Sequence, residues 1–458
     1  MKKIESWEGG GLKRFYRDFM SPSLGRTMKR ISVVTLGCKV NQYDTAAILN
    51  MLPESRYKSV PFPEEADIYV IDTCTVTHRA DAEAKHYIHR AKRINPNGIV
   101  VVTGCYAQVS SDELQEVEGV DYIVGNSDKF SSLIKVIREG EPQTQPKVFV
   151  SDMFKEKKRE FDSPEIKYFP ERTRAFLKVQ DGCNYRCTFC IIPYARGRSR
   201  SLPIDEVLRR MEVLAESGYK EVVLTGVHIA SYGRDIGTNL LNLLEEIEMR
   251  KIIKRVRLTS LDPADTKDDL INFVAESETI CPQFHVALQS GDGNVLKRMR
   301  RRYTPEKFLH CTSLIRERIP DAAIGTDIMV GFPGETDEEF ENTFNLVKES
   351  ALTYFHVFSY SKRKGTPAAT MPNQIHPRVV KERSRILREL GQEKKREFYQ
   401  RFIGRRLPVL VERGSKGTTP NYIGVRILDS QDFNIGDEID VEIKEVRGGE
   451  ALGILNPQ

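Results

Sequence analysis

Three cysteines crowd into one short stretch of this chain, DGCNYRCTFC: Cys183, Cys187 and Cys190. Thiolates are soft ligands, suited to zinc, copper or iron–sulfur clusters. A closed structural zinc site takes four ligands, and no fourth cysteine or histidine lies within 37 residues on either side. Three ligands would instead leave one iron of a 4Fe–4S cluster open to a small molecule. Buried inert thiols, or a zinc site completed from afar, are the alternatives. Three further cysteines lie far apart: Cys38 in TLGCKVNQYDT, Cys74 in DTCTVTHRA and Cys105 in TGCYAQ. Their separations, 36 and 31 residues, are too long for a zinc finger. Each nevertheless directly follows a β-branched run, and strand ends in one parallel sheet converge in space. The equivalence of the three positions points to a second site with three thiolates, although free cysteines also favour buried strand ends. Asn41 and Thr73 are candidate donors to sulfur or to loop carbonyls there, and Thr75 is a candidate helix cap. Cys281 and Cys311 are isolated and expected to be structural.

The elements that must position these thiols follow from apolar periodicity. Short β-branched runs at 31–37, 66–73, 98–104 and 120–125 alternate with helical patterns at 42–52, 79–92 and 111–117. Such alternation predicts a parallel α/β sheet over 31–150. Residues 151–172, charged and with two prolines, read as a linker. A second unit, 173–403, offers strands at 173–182, 221–226, 255–260, 283–289, 322–331 and 354–360. Helical patterns at 205–217, 239–249, 265–278 and 337–350 separate them, which predicts an open (β/α)6 barrel. Ligands in such barrels sit beyond the C-terminal ends of the strands, and Cys183 follows the first of them. A charged helical run covers 378–403. Residues 404–458 then change to strands joined by Gly-rich turns, a small antiparallel β-barrel.

The totals set the frame. A chain of 458 residues suggests two to four domains. Eight cysteines in that length do not make a secreted disulfide scaffold. No apolar run reaches a membrane-spanning length, and the start lacks a signal peptide's apolar core. A cytoplasmic, reducing location is the expectation. The net charge of +5 permits an anionic partner without demanding one. Residues 1–30 carry a Gly run and scattered charge, and read as a loose extension, with Met28 a possible alternative start.

The C-x3-C-x2-C spacing, with aromatic Phe189 before the last cysteine, resembles the radical S-adenosylmethionine (SAM) superfamily. The order of the three units is similar to the methylthiotransferase family: a three-cysteine α/β domain, a radical SAM barrel and a terminal TRAM β-barrel. TLGCKVNQYDT and LTGVHIASYG (224–233) resemble its threonylcarbamoyladenosine tRNA branch. Lys39-Val40 stands where the isopentenyladenosine branch has Gln-Met and the ribosomal-protein branch has Pro-Lys. Ala230 and Asp292-Gly293 depart from the family's loop patterns without removing a thiol. The resemblance implies a transferase that converts N6-threonylcarbamoyladenosine beside the anticodon to its 2-methylthio derivative. It implies SAM and two 4Fe–4S clusters, an auxiliary one at Cys38, Cys74 and Cys105 and a SAM-binding one at Cys183, Cys187 and Cys190. It further implies an electron donor such as flavodoxin or ferredoxin, and a sulfur source. The other readings are a relative acting on isopentenyladenosine or on a protein aspartate, and a non-catalytic iron–sulfur RNA-binding protein.

Further candidates cluster at the strand ends. Thr225 and Gly226 close one strand, and Gln289 and Ser290 another. Gly331 and Gly334 let backbone approach a ligand, with Thr336 as N-cap of the next helix. By the resemblance these residues, with Tyr185 and Phe189, surround SAM. Arg196 and Arg198 are candidates for the SAM carboxylate or a substrate phosphate. His228 is a candidate proton donor, more simply a local hydrogen-bond partner, and His285 a polar strand residue near the cavity. KRMRRRY (297–303) has five basic residues in seven, which makes Lys297, Arg298, Arg300 and Arg301 RNA candidates by phosphate neutralisation. On the terminal barrel, Arg405, Arg406, Tyr422 and Arg426 are the candidates.

Overall fold

The computed structural model describes residues 28–127, 129–154, 161–169, 172–429 and 433–455. Most of the N-terminal extension, 1–27, and the middle of the expected linker lie outside them.

The first sheet holds β1 (Lys29–Thr35), β2 (Tyr57–Ser59), β3 (Ile68–Thr73), β4 (Ile99–Gly104), β5 (Tyr122–Val124) and β6 (Lys147–Phe149). All pairs are parallel, in the order β2-β1-β3-β4-β5-β6. β3 and β4 are buried along their whole length, as expected of strands covered on both faces. Helices Lys39–Met51, His78–Ile94 and Lys129–Glu139 supply the cover.

The segment read as a linker is partly built into the core. Ile166 and Phe169 are buried, and the Tyr43 hydroxyl donates to the Pro164 carbonyl.

The second unit opens with β7 (Ala175–Lys178), followed by a small β8 (Gln180–Asp181)–β9 (Arg200–Ser201) pair. Then come β10 (Glu221–Thr225), β11 (Arg255–Leu258), β12 (Gln283–His285), β13 (Ala323–Val330) and β14 (Tyr354–Ser359). Parallel sheets β11-β10-β7 and β12-β13-β14 are joined by parallel bridges Val256–Ile280 and Leu261–Val286. Six parallel strands thus form an open barrel, as expected. Thr336 caps helix Asp337–Glu349 through a reciprocal box with Glu339. Helix Pro377–Gln400 packs on β14 and leads into the last unit.

That unit closes as β15 (Arg406–Glu412), β16 (Lys416–Thr418), β17 (Gly424–Ile427), β19 (Glu450–Leu455) and β18 (Glu438–Arg447). Its one departure from an antiparallel barrel is the parallel β17–β19 pair. No described helix is long and apolar enough to cross a membrane.

The units share one interior. A hydrophobic cluster runs from Ile31 of β1 and Tyr43 of helix Lys39–Met51 to Phe176, Val223 and Ile324 in the barrel. A buried ionic network crosses the same boundary. Asp44 accepts from Lys178 at 2.6 Å, and pairs with Lys129 at 3.2 Å and Arg196 at 3.3 Å. Arg196 also grips Asp181 through two contacts of 3.1 Å. The terminal barrel is held through Arg255 and Arg257, whose guanidinium groups donate to the Pro408, Thr418, Thr419 and Pro420 carbonyls.

Candidate iron–sulfur and substrate site

Cys38, Cys74 and Cys105 follow β1, β3 and β4, three adjacent strands of one sheet. Their loops meet tightly. Gly37 has a φ of +98°, and a Cβ there would lie 2.5 Å from the Cys74 Cβ and 2.8 Å from its Sγ. Only glycine serves both the backbone and the space. Asn41 ties the loops together, its amide donating to the Leu36 and Thr73 carbonyls at 2.9 Å. Thr75 bonds Asp81 and Arg363, while Thr77 takes the capping position expected of Thr75. Burial and the neighbouring Cys105 push the Cys74 thiol up to about 12. Burial also raises Cys105, against the opposing charge of Arg196.

Cys183, Cys187 and Cys190 lie in the loop beyond β7 and β8. Burial, then the charge of Cys187, raises Cys190 to about 12. Burial raises Cys187 too, opposed by Arg301, whose guanidinium donates to its Sγ at 3.3 Å. The Tyr185 N–H donates to the Cys183 Sγ at 3.4 Å. The Tyr185 hydroxyl donates to Asp265 at 2.6 Å, its ring lies 4.7 Å from that of His228, and Arg302 stacks on it at 4.3 Å. His228 sits 3.2 Å from Asp265. Its burial would lower its pKa, but the Asp265 and Cys183 contacts outweigh that and hold it near 9.

Two cavities lie at these loops, one reaching Cys190 and the other Cys38. The smaller, about 210 Å³, is lined by Val76 and Thr77 just past Cys74, and by Phe189, Cys190 and Ile191. Gln289, Asp327 and Met329 form its barrel wall. The larger, about 480 Å³, is lined by Cys38 and Lys39, by barrel residues including His285, Asp327 and His356, and by Tyr422 from the terminal barrel. Asp327 borders both.

Several candidates stand elsewhere than the sequence suggests. Arg301 points inward, its largely buried guanidinium held between Cys187 and Asp262. Arg298 is clamped on Glu339 by two contacts of 2.7 Å and donates to the Gly334 carbonyl. Arg196 is locked in the inter-domain network instead of reaching for a ligand, while Arg198 is exposed. Ser290 is fully buried against the Thr343 hydroxyl. Thr225 is buried at the end of β10, Gly226 lies against Gln180, and Gly331 packs on Val380. Lys297, Arg300 and Arg406 are exposed; Arg405 pairs with Asp321 and Arg426 with Glu450. Asp265 and Arg363 were not singled out by the sequence. Asp265 lies within the loop between β11 and helix Asp268–Glu276, and Arg363 reaches back to the Thr75 carbonyl and Asp81, contacts that no local pattern encodes.

The comparisons with known proteins decide the family. The Radical SAM superfamily model matches residues 177–347, and the model described as Uncharacterized protein family UPF0004 matches 30–125. A curated relative from Aquifex aeolicus, "Threonylcarbamoyladenosine tRNA methylthiotransferase MtaB", is 42% identical over 87% of this chain and 96% of its own length. The Bacillus subtilis protein of the same name is 40% identical over 91% and 94%. The chain belongs to the radical SAM methylthiotransferase family. A Moorella thermoacetica family member, "tRNA-2-methylthio-N(6)-dimethylallyladenosine synthase", is 33% identical over 88% and 91%. Among solved structures, the radical SAM methyltransferase TsrM of Kitasatospora setae shares the fold at TM-score 0.55 and 16% identity, over 75% of this chain and 77% of that one.

Membership implies SAM and 4Fe–4S clusters, and the donor sets fit them. Each trio consists of free thiols, with no disulfide formed and with an arginine at hand to offset thiolate charge. The raised thiols must lose protons on metal binding, as thiolate ligands do.

Proposed function

We propose that this protein inserts a methylthio group into N6-threonylcarbamoyladenosine of tRNA, at C2 of the purine. One observation carries the reading: thiols from two different domains border adjoining cavities that share the Asp327 wall. The names of the most similar relatives supply the nucleoside. In this reading Cys183, Cys187 and Cys190 hold the SAM-binding cluster, and Cys38, Cys74 and Cys105 the auxiliary one. When bound, the clusters and SAM supply the radical chemistry and the sulfur, which belong to the cofactors.

The chain's own residues bind, orient and shield. Phe189 and Gln289 line the small cavity beside Cys190, where SAM would lie. The Gly331 and Gly334 turn packs on Val380 and accepts from Arg298, and Tyr185, fixed by Asp265, holds the thiol loop in shape. Arg301 and Arg196 balance negative charge at the two trios. Tyr422 and the exposed Lys297, Arg300 and Arg406 are the side chains left to meet the RNA. An anticodon-loop base is already single-stranded, so turning it into the cavity costs only a few kcal/mol. A low-potential electron donor of the flavodoxin or ferredoxin class and a sulfur source complete the system.

The test is anaerobic reconstitution followed by nucleoside mass spectrometry of tRNA. Cys187→Ala is expected to abolish SAM cleavage. Cys74→Ala is expected to keep some cleavage and make no methylthio product. Full product from either variant would overturn the assigned roles, and modification of isopentenyladenosine alone would overturn the choice of nucleoside.

A further inference from the structure

The larger cavity has four cationic side chains in its wall: Lys39, Arg172, Arg174 and Arg257. Two are neutralised within the fold. Arg257 is forked on Glu221 at 2.7 and 3.2 Å, and Arg174 leans on Glu412 at 3.3 Å. The other two are not. Neither the Lys39 ammonium nor the Arg172 guanidinium makes a hydrogen bond or ion pair with a described residue, although Arg172 stacks on Phe176 at 5.1 Å. The one carboxylate among the lining residues, Asp327, is engaged by His285 at 3.1 Å. The Lys39 charge also acts on this carboxylate, so with Arg172 the wall carries two unpaired cations against one carboxylate, an excess of positive charge.

Helix formation does not account for Lys39. It is the first residue of helix Lys39–Met51, where the helix dipole disfavours a cation. Its place in the chain matters more: it directly follows Cys38, so a reacting base brought to that trio comes alongside it. In a purine, C2 and the carbon bearing N6 flank the same ring nitrogen, N1. A base with C2 toward the trio therefore lays its N6 substituent along this wall. The threonylcarbamoyl group ends in a carboxylate, and an uncharged substituent offers no such partner.

We propose that Lys39, assisted by Arg172, binds the carboxylate of the threonylcarbamoyl group and so selects this nucleoside over one with an uncharged N6 substituent. The inference rests on the function proposed above. Charge-assisted hydrogen bonds of this kind are the strong ones, and a site built for a charged group rejects analogues that lack it.

The experiment measures binding of anticodon stem-loop RNAs to the anaerobic, cluster-loaded protein by fluorescence anisotropy. Three loops are compared: threonylcarbamoyladenosine, its carboxamide and unmodified adenosine. The unaltered protein is expected to bind the carboxylate form about tenfold more tightly than the carboxamide. Lys39→Gln should erase that preference, and Lys39→Arg should keep most of it. Arg172→Gln should reduce it partially. Equal discrimination by the unaltered protein and Lys39→Gln would overturn the role of Lys39. If the unaltered protein methylthiolates threonylcarbamoyladenosine while Lys39→Gln discriminates normally, this inference alone fails. If the unaltered protein does not modify that nucleoside at all, the proposed function fails first.

Discussion

Arg300 and Arg301 adjoin in one basic run, yet their surroundings differ in kind. Arg300 is exposed just past a short helix, while the Arg301 side chain is only 10% exposed, set against Asp262 and the Cys187 thiol. Breaking a buried pair strands the partner charge, which costs on the order of 3–5 kcal/mol, whereas an exposed substitution changes stability by less than about 0.5 kcal/mol. Arg301→Gln is therefore expected to lower the midpoint of urea unfolding of the metal-free protein clearly, and Arg300→Gln to leave it in place. Filter binding of tRNA across a salt series should show the converse for Arg300→Gln: weaker binding, with a salt slope shallower by about one. Equal stability of the two variants would refute this division. The cysteine trios were legible because thiol chemistry demands a particular residue type at a particular place. Side-chain direction within a run of like residues is set by the fold, so Arg301 could not be told from Arg300 by sequence. Ser290 and Arg196 misled for the same reason: their partners, Thr343 and Asp181 with Asp44, come from other elements.

Strands end in loops, and a single atom can decide whether a loop closes. Adding a methyl group at Gly37 would press on the Cys74 side chain and force a backbone with φ near +98° on a residue with a Cβ. Gly37→Ala is thus expected to lose iron from the auxiliary trio while the other trio retains its own and still cleaves SAM. Iron and sulfide analysis, beside a cleavage assay, reads both. Full iron content would show that the loop yields without cost. The strands that lead to Cys74 and Cys105 were plain in the sequence, since β-branched runs buried on both faces have few alternatives. β2 and β6 span three residues each, too short for any period. Helix Lys129–Glu139 was not among the expected helices, although Phe130, Leu133, Ile134 and Ile137 carry its apolar spacing. The parallel β17–β19 pairing joins strands distant in the chain, and alternation within a strand does not encode its neighbour.

At the scale of the whole molecule, the question is what holds two thiol-bearing domains in register. The hydrophobic cluster is shared, but apolar contact is non-directional. Direction comes from Asp44, which meets Lys129 of its own domain and Lys178 and Arg196 of the next. Arg196 adds a 2.6 Å bond to Asn41, the residue that ties the Cys74 loop. Burial alone would raise the Asp44 pKa, but Lys129, Lys178 and Arg196 together hold it well below the ordinary carboxylate range. A carboxylate depressed in this way stabilises the folded state above its unfolded pKa of about 4. That contribution declines as pH falls below this value toward the folded pKa. Asp44→Asn keeps the shape and removes the charge, leaving Lys178 and Arg196 only Asp181 between them. It is expected to cost about 3–5 kcal/mol near neutral pH, read as a lowered thermal midpoint. The gap from the unaltered protein should be constant above about pH 5 and narrow as acid protonates the native carboxylate. A gap that stays constant down to acid pH, or that widens there, would mean that packing alone sets the register and that the ionic network merely fills the interface.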